Sequence, residues 1–81
     1  MVTMLEVTEA VTALEGEPPL LAQRWATGQR VEAAGTLLGW NGGKPFHTPY
    51  DGCTLIMPSV DRVKAGMTIV RLARDAAKNP G

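Results

Sequence analysis

Apolar and polar positions along this chain alternate in short runs, and glycine and proline cut the runs at close intervals. Thr3 to Val11 (TMLEVTEAV) is rich in β-branched residues, with Leu5 and Val7 alternating with Glu6 and Thr8. A period of two predicts a strand with one face buried. Glu15-Gly16-Glu17-Pro18-Pro19 then breaks it, because two prolines fix φ and supply no amide donors. Leu20 to Trp25 resumes the apolar pattern and predicts another strand, with a helix as the alternative. From Gly28 onward, Gly28, Gly35, Gly39, Gly42-Gly43, Gly52 and Gly66 separate the runs Thr36 to Leu38, Cys53 to Met57 and Met67 to Leu72. Runs this short suit strands and leave little room for a helix of about 10 residues or more. Asn41-Gly42, between Leu37-Leu38 and Phe46, predicts a hairpin, since Asn-Gly readily adopts positive φ. Asp75 to Gly81 is polar and predicts a flexible tail after a single helical turn.

The pattern also repeats itself. Arg30-Val31-Glu32-Ala33-Ala34-Gly35-Thr36-Leu37-Leu38 is answered 32 residues later by Arg62-Val63-Lys64-Ala65-Gly66-Met67-Thr68-Ile69-Val70. Each copy reads valine, a charged residue, alanine, glycine, then an apolar run. The valine closes a strand into the core, the glycine permits a turn with positive φ, and the chain re-enters a sheet. Two copies predict two similar half-sheets folded against each other, each covering the other's apolar face.

Composition bounds what such a fold can do. Eighty-one residues make one small domain, which buries roughly 60–65% of its unfolded surface. The pattern places this single β domain at residues 1–74, with 13–22 fitting it least well, and the tail at 75–81. Eight basic and eight acidic residues balance, and the aromatics are two tryptophans, one tyrosine and one phenylalanine. Neither the basic stripe nor the stacking surface of a nucleic-acid binder is present. No stretch approaches the about 20 apolar residues of a membrane-spanning helix. Met1 to Ala13 carries Glu6 and Glu9 and no basic residue, unlike a signal peptide. The single cysteine, Cys53, has no partner for an internal disulfide, which fits a cytoplasmic setting.

The two-half pattern resembles the biotinyl/lipoyl-like barrel-sandwich hybrid, an all-β fold of two half-sheets around a central Asn-Gly hairpin. A narrower resemblance rests on His47-Thr48-Pro49-Tyr50-Asp51-Gly52-Cys53-Thr54-Leu55-Ile56-Met57-Pro58-Ser59 and on Ala65-Gly66-Met67-Thr68-Ile69-Val70-Arg71-Leu72-Ala73-Arg74. Together with Val31 to Gly43 and Leu5 to Val11, these residues look like the C-terminal domain of the succinylglutamate desuccinylase/aspartoacylase family. The resemblance implies a zinc-dependent amidohydrolase acting on N-acyl amino acids. Its metal ligands, a His-x-x-Glu pair and a later histidine, belong to a separate N-terminal α/β domain. The β domain packs against that catalytic domain, in cis or in trans, and helps shape its substrate channel. On this resemblance the chain corresponds to the second domain and to none of the first.

Candidate chemistry within the chain is sparse. A catalytic zinc needs about three protein ligands, and here only His47 and Cys53, with Asp51 between them, lie close in sequence. His47 reads as a strand-face residue and Cys53 as a small core residue, with no sign of an activated thiol. A carrier lysine would sit at the hairpin tip. The nearest candidate, Lys44, lies beyond the tip between Gly43 and Pro45 and is rejected for that role. Tyr50-Asp51-Gly52 is the loop of interest. Asp51 before glycine suits a tight turn closed on its own backbone, and Tyr50 can project towards a partner domain. His47, Tyr50 and Asp51 are therefore the substrate-channel candidates. Trp25 and Trp40 are expected in the core, unless both are exposed and mark a docking face. The alternative to an accessory domain is a free-standing interaction module, homo-oligomeric or not, that reuses the fold without covalent carriage.

Overall fold

The computed structural model describes residues 4–76. Seven strands form among them: β1 (Leu5–Thr12), β2 (Leu20–Leu21), β3 (Arg30–Val31), β4 (Leu37–Asn41), β5 (Lys44–His47), β6 (Cys53–Ile56) and β7 (Thr68–Asp75). None of the described residues is helical, so no helix there is long and apolar enough to cross a membrane. The strands build two antiparallel sheets, one in the order β1-β7-β6-β3 and the other in the order β2-β4-β5. The all-β expectation holds, with the strands in two antiparallel sheets.

The core lies between the sheets. Cys53 and Leu55 on β6 alternate inward with Val31 opposite Cys53 and Leu72 opposite Leu55. Leu38, Ile69 and Val70 join them, and every one of these side chains is buried. Each large apolar side chain so enclosed contributes about 1.5–3 kcal/mol. Leu21, Phe46, Trp25 and Tyr50 pack around this centre.

The two halves obey one register. In the first sheet Thr12 pairs with Thr68 and Val11 with Val70, leaving Ile69 as the extra residue of a bulge. In the second, His47 pairs with Leu37 and Phe46 with Gly39, leaving Leu38 as the extra residue. Both bulged residues turn fully inward. The turns leading into them also correspond. Gly35 N–H donates to Thr48 O (2.8 Å) and Thr48 N–H to Thr36 O (3.0 Å). Gly66 N–H donates to Ala13 O (2.8 Å) and Ala13 N–H to Met67 O (2.8 Å). Gly35 and Gly66 take φ of 80° and 91°, where an L side chain is strained. On the other flank, Ala22 N–H to Leu38 O mirrors Ser59 N–H to Ile69 O, both 2.9 Å. The repeat in the sequence is thus a repeat of hydrogen bonds.

Four expectations need correction. β1 was expected to bury one face, yet Leu5 and Val7 stay 43% and 50% exposed. β1 is an edge strand of its sheet, and Leu5 and Glu6 pair with Asp75 and Arg74, beyond the stretch of β7 from Arg71 to Ala73 that β6 pairs with. The beginning of β1 thus belongs to a two-stranded arm with little above it. Asp75, expected at the start of the tail, is strand, and residues 77–81 of that tail lie outside the described residues. Leu20 to Trp25 pairs only through Leu20 and Leu21. The hairpin turns at Gly42-Gly43, with φ of 61° and 83°, while Asn41 and Lys44 form its closing pair. Two consecutive positive φ values are the twist-matched two-residue turn that favours glycine.

Candidate functional site

The loop from His47 to Gly52 holds the candidates singled out in the sequence, and its polar groups are spent on holding the fold. Asp51 does not close a turn on its own backbone. Its Oδ1 accepts from Ala34 N–H at 2.8 Å, across to the turn before β4. Thr48, buried, secures the same turn twice: Oγ1 accepts from Thr36 N–H (3.0 Å) and donates to Ala33 O (2.9 Å). Thr36 Oγ1 donates to the same Ala33 carbonyl at 2.6 Å. Asp51 and Thr48 together clamp Ala33–Thr36 against the loop.

Tyr50 faces the other way along the molecule. It packs on the core, and its hydroxyl sits 2.6 Å from Thr8 Oγ1, while Thr8 Oγ1 also reaches Leu72 O at 3.2 Å. Thr8 lies between Val7 and Glu9, where the register of β1 slips. Tyr50 therefore ties the bulge of β1 to the loop. His47 is exposed on β5. No hydrogen bond joins His47, Tyr50 and Asp51 to one another.

Cys53 lies beside Tyr50 in sequence but inside the core, fully buried. Burial pushes its thiol pKa up, outweighing the opposing hydrogen bonds from the Ala73 backbone and Tyr50, and Glu9 adds to the rise. A thiol held protonated is neither a ready nucleophile nor a ready metal ligand. His47 on a solvent face, Asp51 bonded to Ala34 and Cys53 in the core do not converge. Among the described residues no group of three histidine, cysteine, aspartate or glutamate side chains is placed to hold a metal ion. The residues present do not fit zinc, and no catalytic step is assigned to them.

Lys44 is exposed and closes the Gly42-Gly43 turn opposite Asn41. Asn41 is the residue the sequence most undersold. Read there as half of a turn signal, it is buried. Its Oδ1 accepts from Leu14 N–H and its Nδ2 donates to Thr12 O, both at 2.9 Å. One amide thus carries the strand end at Thr12 round to Leu14, binding the two sheets at the hairpin. A polar residue followed by two glycines gives no hint of that role.

The surface feature that remains is apolar. Cross-strand partners share a face of a sheet, so Leu20, Trp40 and Pro45 form one row across β2, β4 and β5. Leu21, Gly39 and Phe46 form the next row on the opposite, core-packed face. The Leu20 row points outward: Leu20 is 59% and Trp40 37% exposed, and Pro45 is exposed too. His47, two residues beyond Pro45 with Leu37 opposite, continues this outer face. Of the two tryptophans only Trp40 lies here. Trp25 is half-buried and donates from Nε1 to Leu38 O at 2.9 Å. Of the three channel candidates, only His47 shares the face.

Gly39 makes this face possible. A Cβ at Gly39 would run into the Leu20 carbonyl and lie 2.9 Å from Leu21 Cα. Only glycine lets β2 pass close enough to set Leu20 beside Trp40. A concavity of about 270 Å³ opens at the end of the row, lined by Glu17, Pro18, Leu20, Trp40 and Gly43.

Comparisons of the chain with protein-family models, with curated proteins and with solved structures find no match.

Proposed function

We propose that this chain is a non-catalytic β domain that works by docking, through the outer face of the β2-β4-β5 sheet, onto a separate catalytic domain. The observation that carries the reading is the exposed row Leu20-Trp40-Pro45. A tryptophan in the middle of a strand, flanked on both sides by apolar neighbours and turned away from the core, costs solubility unless something covers it. The polar loop at residues 47–52 supports the same reading, because Thr48, Tyr50 and Asp51 are engaged in internal bonds.

The sequence resemblance supplies the identity of the partner. The partner is the α/β zinc domain of a deacylase of the succinylglutamate desuccinylase/aspartoacylase type, in cis or in trans. The present chain walls one side of its substrate channel. On this reading the zinc and its His-x-x-Glu ligands belong wholly to that partner. Of the channel candidates, His47 is the one that reaches it, since it stands on the docking face. The barrel-sandwich hybrid is the fold this reading assigns, supported by the shared register of the two halves.

The purified chain supplied with Zn²⁺ and N-acyl amino acids is expected to show no hydrolysis above the protein-free rate. Turnover that a chelator abolishes would overturn the proposal.

A further inference from the structure

The concavity beside Trp40 has a definite chemistry. Its walls are the Trp40 indole, Leu20 and Pro18, and its one charged lining residue is Glu17. Glu17 Oε1 lies 3.5 Å from the position a Cβ would take on Gly43, so the carboxylate is held over the hairpin turn, next to the aromatic wall. Glu15 precedes it on the same loop and lines the neighbouring concavity with Glu17. Lys64 lines that neighbouring concavity, not this one, and Lys44 pairs with Asn41 and so belongs to the other face of β5 from Pro45. No basic side chain lines the concavity.

An aromatic face, apolar walls and one carboxylate, with no basic side chain among the walls, complement a positively charged group on an apolar stem. Arginine matches best: its planar guanidinium stacks on an indole while its fork of N–H groups donates to a carboxylate, and its methylenes lie along Leu20 and Pro18. Resting on the docking role proposed for this face, we infer that the partner presents an arginine side chain that inserts between Trp40 and Glu17. The arginine then fixes the register of the docked domain, and the Leu20-Trp40-Pro45 row supplies apolar contact around it.

The probe is the peptide acetyl-Pro-Arg-Pro-amide, titrated through the millimolar range while the amide and indole resonances of the ¹⁵N-labelled chain are followed. Saturating shifts are expected at the Trp40 indole N–H and at Glu17 to Leu20. The same peptide with the neutral isostere citrulline is expected to bind roughly fivefold more weakly, the size of a solvent-exposed cation–π contact. Glu17→Gln, in an exposed loop, is expected to narrow that difference by removing the carboxylate's share and leaving the share of Trp40, without changing the fold. Equal binding of the two peptides, or shifts that do not reach Trp40, would overturn the inference. Trp40→Ser and Glu17→Gln, each tested against the catalytic domain, separate its failure from that of the docking reading. If Trp40→Ser weakens docking and Glu17→Gln does not, the arginine is wrong and the face stands. If Trp40→Ser has no effect, the face itself is wrong.

Discussion

Replacing Gly39 with alanine tests the packing that creates the exposed face. The added methyl would collide with the Leu20 carbonyl and sit 2.9 Å from Leu21 Cα and 3.1 Å from Leu20 C. All three are backbone atoms, so no side chain can rotate away, and β2 must detach from β4. Detachment forfeits the pairing of Leu20 and Leu21 with Trp40 and Gly39, and the Ala22 N–H bond to Leu38 O. At a net ~1 kcal/mol per hydrogen bond, two or three such bonds are worth about 2–3 kcal/mol. Partial uncovering of Leu21 adds about 1 kcal/mol. A loss of roughly 3 kcal/mol is a large share of the ~5–15 kcal/mol that stabilises a domain. For a domain of this size it lowers Tm by about 12–24 °C. The assay is thermal unfolding followed by circular dichroism, with Gly28→Ala as the reference. Gly28 has a φ of 84° but nothing within 4 Å of the added methyl, so only backbone strain of about 1–2 kcal/mol applies. The reasoning is refuted if Gly39→Ala melts within a few degrees of the wild type, or no lower than Gly28→Ala.

Further outcomes follow from individual contacts. Asn41→Ala leaves Leu14 N–H and Thr12 O without their partners, and is expected to cost about 2–4 kcal/mol in urea unfolding. Tyr50→Phe removes the hydroxyl's contacts with Thr8 and the Cys53 thiol and should cost about 1 kcal/mol, leaving the docking face unchanged in its amide spectrum. Cys53 should resist alkylation by iodoacetamide in the native chain and react once the chain is unfolded in urea. Its folded pKa is raised, so its contribution to stability is complete below the unfolded thiol value of about 8.5 and is lost as pH climbs from there through the folded value. Cys53→Ala should flatten that alkaline decline.

The fold was legible in the sequence where a residue type has one structural meaning. Gly35 and Gly66, each following the valine-charged-alanine pattern, do take positive φ, and the duplicated hydrogen bonds around them follow from the duplicated residues. Cys53 to Leu55, at the start of an apolar run, are all buried, as a run bounded by turn residues predicts. Legibility failed where a residue type has two meanings. Gly39 looks like the other glycines that punctuate the chain, but it lies inside β4 and serves close approach of a neighbouring strand, a fact that depends on Leu20, 19 positions earlier. Asn41 beside Gly42 reads as a turn residue, while its actual partners, Thr12 and Leu14, are set by the other sheet. Leu5 and Val7 alternate as a buried face would, but burial needs a covering element, and alternation alone cannot supply one. The same holds for the site. Asp51 was legible as structural but not its partner Ala34, and the row Leu20-Trp40-Pro45 exists only once the registers of three strands are known.

The most direct test of the central claim is a binding isotherm between this chain and the His-x-x-Glu domain encoded upstream in its own reading frame or in a neighbouring one. The account predicts a one-to-one complex that Trp40→Ser weakens by roughly tenfold or more, the usual penalty for truncating an aromatic at the centre of an interface. The absence of such a domain, the absence of a complex, or equal binding by Trp40→Ser would contradict it.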